Sequence, residues 1–459
     1  MSSDVSTPAD SGEAPLTLNF SDAQLRTLGF KDQFTLWSSL GVSLLIPATA
    51  VFVLQPSPQL PPLSFAAVVT AIVLGTAVGS YLLALSAVVG SVTGAPTMAM
   101  LRGLLGQRGS VVPTVLNLAQ CCGWAALEVY VIAQVGAALT SSASTIWWTV
   151  GAGAVATVMA IRPIRSVRVI RRYLMWLVLA TSVYLIAYLA LHGLHPRQGT
   201  WDGFWLSFDI VVTMPISWAV LASDWSRHST SSRNTALGVG LGYASTCAAF
   251  FIIGILAISG SSELSHTLGN TYSPTAFANG LLVLPIGVLA LAILAIDEVD
   301  EAFANIYSTA ISAQNLFAKV DRRVLALGVG IVATALATFI NLETYESFLL
   351  LIGALFLPLV AVLITDWFVL RRILFGTAGA RFSVTEPQTK RLRYLLVWLS
   401  GVCVYSLISP AQVAGWSDFW VAARDHLSWF PVIAGSATLT TLASTSLLTL
   451  LIGAVSARR

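Results

Sequence analysis

The sequence predicts an all-α polytopic membrane protein with twelve transmembrane helices. Three observations carry this prediction. The chain is 56% hydrophobic and only 10% charged, its mean hydropathy is +0.80, and its basic residues fall in a one-sided pattern between the apolar runs. Soluble domains usually have about a quarter of their residues charged, so the composition excludes an ordinary soluble domain.

The apolar runs define the spans, because a helix needs about 20 residues to cross the bilayer core. We place them at 34–54, 64–90, 110–140, 144–161, 173–192, 204–223, 235–259, 280–317, 323–341, 346–370, 391–411 and 428–453. The polar segment 1–33 lacks a signal-peptide pattern and is predicted to be an N-terminal tail.

The basic residues set the orientation of these spans. If the N-terminus is cytoplasmic, every one of the 24 Lys and Arg residues except Arg197 and Arg424 lies in a cytoplasmic segment. Because Lys and Arg are enriched on that side of membranes, both termini are predicted in the cytoplasm, with the protein in the cell membrane. The same pattern favours one long helix over 280–317, with Pro285 as a bend near one end.

Two spans carry a proline near their middle: Pro47 in the first and Pro215 in the sixth. A single internal proline is more often a tolerated kink than a binding site. Two prolines at matching depth, five spans apart, instead predict two inverted repeats whose first helices are broken. The repeats would cover 34–192 and 204–370, followed by two helices over 391–453 and a short C-terminus, 454–459.

The third span carries a glutamate, Glu128, one helical turn after a tryptophan, Trp124. Gln120, Trp124 and Glu128 are spaced four residues apart and therefore share one helix face. An indole beside a carboxylate suits a flat heterocycle with N–H groups. A packed tryptophan beside a structural acid fits the sequence equally well.

The eighth span carries the densest acidic cluster of the chain. Its acids are Asp297, Glu298, Asp300 and Glu301. The helical period places Asp297, Glu301, Asn305, Ser308 and Ser312 on one stripe, with the other two acids flanking it. Almost no Lys or Arg within the spans is available to pair with them. Some of these carboxylates are therefore predicted to carry a proton, bind a cation such as Na⁺ or face water.

Several segments resemble the nucleobase:cation symporter-1 family, which contains the purine–cytosine permeases. They are "GAPTMAMLRGLLGQRGS", "QCCGWAALE", "MPISWAVLASDWSRHS", "FANIYSTAISAQNLF" and "LFLPLVAVLITDWFVLRR". The resemblance implies a five-plus-five inverted-repeat fold plus two C-terminal helices. Within the family, the sixth and eighth spans look most like the transporters of hydroxymethylpyrimidine, a precursor of thiamine.

The resemblance also implies roles for particular residues. Trp124 matches the family's base-stacking tryptophan, and Asn305 matches its substrate-binding asparagine. The family's glutamine, four residues after the tryptophan, is Glu128 here. The hydroxyl residues that bind Na⁺ in the family are replaced by Val299 and Asp300, so the coupling ion remains open between H⁺ and Na⁺.

The family's second stacking aromatic would fall near Met214 and Pro215, where this chain has none. Trp218 or Phe208 is the candidate replacement, or the sandwich is incomplete.

Together these observations predict a cation-coupled importer of a small planar pyrimidine, with no enzyme activity, cofactor, nucleic-acid ligand or obligatory protein partner. Substrate-binding residues are predicted as Gln120, Trp124, Glu128, Pro215, Trp218 and Asn305. The coupling residues are predicted as Asp297, Asp300 and Glu301, with Na⁺, if used, between Asp300 and the break at Pro47. The alternatives are a cytosine or purine permease of the same fold, and a channel or receptor for a small heterocycle.

Overall fold

The computed structural model describes residues 26–57, 59–142, 144–162, 166–193, 198–259, 279–340, 342, 345–371, 392–427 and 435–457. The predictions for most of the N-terminal tail, for Arg197 and for residues 428–434 of the last span lie outside these ranges.

The described residues fold mainly into α-helices. In chain order the helices are α1 (Phe30–Ser39), α2 (Leu45–Leu54), α3 (Phe65–Thr93), α4 (Thr97–Gly109), α5 (Val111–Leu139), α6 (Ile146–Ile161), α7 (Ser166–Gly193), α8 (Phe204–Ala219), α9 (Ala222–Ser226), α10 (Ser232–Ser259), α11 (Gly287–Gln314), α12 (Arg322–Leu336), α13 (Tyr345–Ile364), α14 (Leu392–Ile408), α15 (Trp416–His426) and α16 (Ala437–Ala457). A π-helical turn, Thr365–Leu370, continues α13.

The helices have the lengths and composition of a polytopic membrane protein. Among the described residues, six helices are long and apolar enough to cross a membrane, and four shorter apolar helices accompany them. The predicted all-α class is therefore confirmed. The division into two repeats and a C-terminal pair stays a prediction.

The first and sixth spans are both broken, but not at their prolines. The first span is interrupted between α1 and α2, over Leu40–Leu44, and Pro47 lies in the first turn of α2. The first N–H groups of a helix have no partner within it, so a proline there costs no hydrogen bond. The prediction that Pro47 marks the break was wrong by a few residues.

Pro215 likewise lies within α8, which continues to Ala219 before the short interruption ahead of α9. Its ring packs against α3 at Gly79, where any side chain would overlap the ring. The proline is therefore accommodated by close helix packing rather than by ending the helix.

The acidic cluster lies inside one uninterrupted helix, as predicted. α11 runs from Gly287 to Gln314 and packs along α5. Pro285 precedes the helix instead of bending it, and Ile286 between them has a positive φ of 53°. The break in the first span lies beside α11, and this contact positions the site.

Candidate functional site

Glu298 connects α11 to the break in the first span. Its Oε1 accepts a hydrogen bond from the Ser43 hydroxyl at 2.9 Å, and its Oε2 accepts one from the Leu44 N–H at 2.8 Å. Leu44 is the N-cap of α2, where backbone N–H groups lack helical partners and the helix dipole favours negative charge. Glu298 was not among the predicted site residues. Its place in the acidic cluster was the only sequence signal for it.

Asp297 and Asp300 lie at the other side of the same break. The Ser39 hydroxyl, at the last residue of α1, is 3.4 Å from Asp297 Oδ1 and 3.3 Å from Asp300 Oδ2. All four acids of the cluster are buried. The cluster therefore faces other parts of the protein, and three of its acids contact the two ends of the broken span.

Glu128 and Asn305, from the third and eighth spans, are directly hydrogen-bonded. The Asn305 Nδ2 donates to Glu128 Oε1 at 2.8 Å, and the two side chains are 2% and 1% exposed, respectively. The Glu301 carboxyl lies within electrostatic range of Glu128. Glu128 Oε2 and Glu301 Oε1 have no hydrogen-bond partner among the described residues, so each can accept from a ligand.

Trp124 lies one helical turn from Glu128, on the same face of α5, and is flanked by two aromatic residues of α13. Its ring is edge-on to Tyr345, at 6.0 Å between centroids, and to Phe348, at 5.3 Å. The Tyr345 hydroxyl in turn meets the Thr49 hydroxyl of α2 at 3.2 Å. Sequence analysis missed Tyr345 and Phe348. They form an aromatic pair in the first turn of a span, but nothing local connects that pair to Trp124.

Gln120 faces the sixth span. Its Nε2 donates to the Ser217 carbonyl of α8 at 2.9 Å, and its Oε1 has no partner within the described ranges. Trp218, the next residue along α8, is edge-on to Trp37 of α1 at 6.3 Å. Phe208 lies nearly three turns before Trp218 in α8 and is edge-on to Trp205. Gln120 thus connects the third span to the second broken span, and Trp218 connects that span to the first broken span. Phe208 packs beside another aromatic residue of its own helix.

Three further acids of the spans serve structure. Asp209 caps α16 by accepting from the Ala437 N–H at 2.8 Å, the Thr438 N–H at 3.1 Å and the Ser436 hydroxyl. Asp366 pairs with Arg371 at 2.8 Å.

Asp224 is buried and accepts from the Thr97 N–H of α4 at 3.0 Å. Asp209 and Asp224, like Glu298, therefore bind the N-termini of helices.

A helical bundle with two broken spans and buried polar residues beside the breaks has the architecture of secondary transporters. Residues 23–382 match the sequence model of the family described as permease for cytosine/purines, uracil, thiamine, allantoin. The chain therefore belongs to this family, and it is a multi-pass membrane transporter rather than an enzyme.

Solved structures share the fold at low sequence identity. Mhp1, a nucleobase-cation-symport-1 family transporter in a closed conformation with bromovinylhydantoin bound, is 17% identical, with a TM-score of 0.71 over 95% of this chain and 94% of that one. A Na⁺-coupled sialic acid symporter in its outward-open state is 13% identical, with a TM-score of 0.59 over 94% and 90%. A manganese transporter of Eremococcus coleocola is 13% identical, with a TM-score of 0.54 over 99% of both chains. No curated protein sequence matches the chain.

Proposed function

We propose that this protein is a cation-coupled importer of a small planar pyrimidine, with hydroxymethylpyrimidine as its substrate, working by alternating access in the cell membrane with both termini cytoplasmic. Membership in a permease family for bases and thiamine supports this proposal. The planar hydantoin bound to Mhp1 and the Na⁺ coupling of the sialic acid symporter, two proteins of similar fold, are consistent with it.

The Glu128–Asn305 pair is the observation that carries the proposal. An aminopyrimidine presents an amino donor next to a ring-nitrogen acceptor. The free Glu128 Oε2 would accept from the amino group, and the Asn305 amide would complete the polar edge. A carboxylate in place of an amide favours a ligand rich in donors, because it offers only acceptors when ionised. This feature favours an aminopyrimidine over an oxo-pyrimidine.

Trp124 would stack on the pyrimidine ring, since its indole lies one turn from Glu128 on the same helix face. Tyr345 and Phe348 would form the second aromatic wall, because they already surround Trp124. Gln120 and Trp218, with the backbone near the breaks at Leu40–Leu44 and beyond Pro215, would complete the pocket.

Asp300, with Asp297 and Glu301, would carry the coupling ion. Asp297 and Asp300 meet at Ser39 beside the break, and Glu301 lies between this region and Glu128, within electrostatic range of both Asp297 and Glu128. A proton or Na⁺ bound there would couple to the substrate through Glu301. The carboxylates suit either ion, because each can take a proton and each is a hard oxygen ligand.

Uptake of labelled hydroxymethylpyrimidine into proteoliposomes, with a pH gradient and a Na⁺ gradient imposed separately, tests the proposal. We expect accumulation above equilibrium with one of the two gradients. Equilibration without dependence on either gradient would indicate a channel, and binding without uptake a receptor. Unlabelled cytosine, a purine or allantoin could inhibit this uptake more strongly than unlabelled hydroxymethylpyrimidine does. That result would contradict the proposed substrate.

A further inference from the structure

Glu298 has the hydrogen-bond pattern of an ionised carboxylate. Both of its oxygens accept, one from the Ser43 hydroxyl and one from the Leu44 N–H, and it is 1% exposed. Neither bond requires a proton on the carboxyl group. The side chain thus places a negative charge at the start of α2, hydrogen-bonded to the Leu44 N–H.

The N-terminus of a half-helix in a broken span is an anion site. Its free N–H groups and the positive end of the helix dipole face the centre of the protein, and transporters of related architecture use such termini to bind anionic groups of their substrates. α2 is ten residues long and begins at this break. In the present protein a side chain of another span already occupies this anion site.

The occupied terminus belongs to the proposed transport site. Glu298 lies within electrostatic range of Glu128 in α5 and of Glu301 in its own helix. It is also within range of Tyr345 in α13, which packs edge-on against Trp124. A substrate held by Trp124 and Glu128 would therefore sit close to the Glu298 charge.

We propose that Glu298 is a built-in anion that determines the charge class of the substrate. It fills the half-helix terminus that would otherwise accept a substrate carboxylate, and its charge adds to that of the neighbouring acids. The transporter then accepts neutral or cationic heterocycles and rejects their carboxylate analogues. This inference rests on the proposed function for the position of the substrate beside Glu128, and it assigns Glu298 a role in specificity rather than in coupling.

Binding of matched ligand pairs tests the inference. One pair is hydroxymethylpyrimidine and the analogue in which the hydroxymethyl group is replaced by a carboxylate. The other is uracil and orotate, which is uracil with a carboxylate. The measured quantity is the ratio of the Kd of the acid to the Kd of its neutral partner, in purified full-length protein in nanodiscs.

In the unsubstituted protein we expect the Kd of the acid to exceed that of its neutral partner by at least about tenfold, in each pair whose neutral member binds. A tenfold ratio corresponds to about 1.4 kcal/mol, and bringing the ligand carboxylate close to the like charge of Glu298 costs more than that. Glu298→Gln keeps the size and one acceptor but removes the charge, so the ratio should fall by at least about tenfold. Glu298→Asp keeps the charge and should preserve most of the ratio. If Glu298→Gln fails to fold, Glu298→Met provides the same loss of charge.

Asp209→Asn is the matched control, because Asp209 is another buried carboxylate that caps a helix N-terminus, at α16. Its ratio should equal that of the unsubstituted protein. The inference is overturned if the unsubstituted protein binds acid and neutral partner equally, if Glu298→Gln leaves the ratio unchanged, or if Asp209→Asn lowers it as much.

The two pairs separate this inference from the proposed function. If the protein binds uracil but does not bind hydroxymethylpyrimidine, the proposed substrate is refuted. The ratio of the Kd of orotate to that of uracil then still tests the role of Glu298. Binding of neither neutral ring would overturn both.

Discussion

Replacing Glu128 with alanine is expected to weaken the binding of an aminopyrimidine by about 1.5–3 kcal/mol, the usual contribution of a hydrogen bond to a charged group. This corresponds to an increase in Kd of about 10- to 150-fold. The prediction follows from the geometry at Glu128. One of its oxygens is held by Asn305 at 2.8 Å, and the other has no partner among the described residues and can meet the ligand. Glu128→Gln should cost less, because an amide oxygen can still accept from Asn305 or from the substrate.

The substitution also leaves the buried Asn305 amide without its acceptor. An unsatisfied buried group costs about 1–3 kcal/mol of the free energy of unfolding, so a loss of stability must be separated from a loss of affinity. Asn117→Ala is the matched control. It removes the 3.0 Å hydrogen bond from Asn117 to Ser312, a buried pair between the same two helices, and it leaves the Glu128 carboxyl in place.

The assay is ligand binding in nanodiscs, combined with thermal unfolding of the empty protein. Both alanine variants should unfold at a lower temperature, but only Glu128→Ala should raise the Kd by tenfold or more. An unchanged Kd in Glu128→Ala, or an equal rise in both variants, would refute the assignment of Glu128 as the residue that reads the substrate's polar edge.

Three further predictions address coupling, stacking and packing. Asp300→Asn should abolish gradient-driven accumulation in proteoliposomes, because the amide can neither take up a proton nor offer a charged ligand to Na⁺; retained uphill uptake would contradict the role of Asp300 in coupling. Trp124→Leu should raise the Kd for hydroxymethylpyrimidine by about 5- to 150-fold, since the loss of a stacking aromatic costs about 1–3 kcal/mol per base; an unchanged Kd would argue against stacking. Gly79→Val should lower the free energy of unfolding by at least about 1–3 kcal/mol, because any side chain there overlaps the Pro215 ring; Gly328→Ala, at a position with open space around it, should not be destabilising.

The positions of most spans could be predicted closely from the sequence. The third span was expected over 110–140 and is Val111–Leu139, and the seventh was expected over 235–259 and is Ser232–Ser259. Hydropathy depends only on the residues within the span, and the span length is set by bilayer thickness. Local sequence is therefore sufficient for this level of the fold.

The breaks were predicted in the right spans but at the wrong residues. The interruption at Leu40–Leu44 contains no proline, and contacts from other spans accompany it. Glu298 accepts hydrogen bonds from Ser43 and Leu44, and α10 packs so tightly on Gly41 that a side chain there would overlap Thr246. These contacts come from distant parts of the chain, so a local signal such as proline identifies the span but not the residue.

The sequence by itself determined that the protein is an all-helical membrane protein, which spans carry its unusual polar residues, and that the acids of the eighth span lie on one side of a helix. Composition, hydropathy and helical periodicity are local properties and are sufficient for those conclusions. Only the tertiary structure decided which group each acid meets. It joined Asn305 to Glu128 across 177 residues of chain, and Glu298 to the start of α2 across 254. Those pairings depend on how the third, eighth and first spans pack around one another, because a helix period gives the direction of a side chain but not the identity of the neighbouring helix.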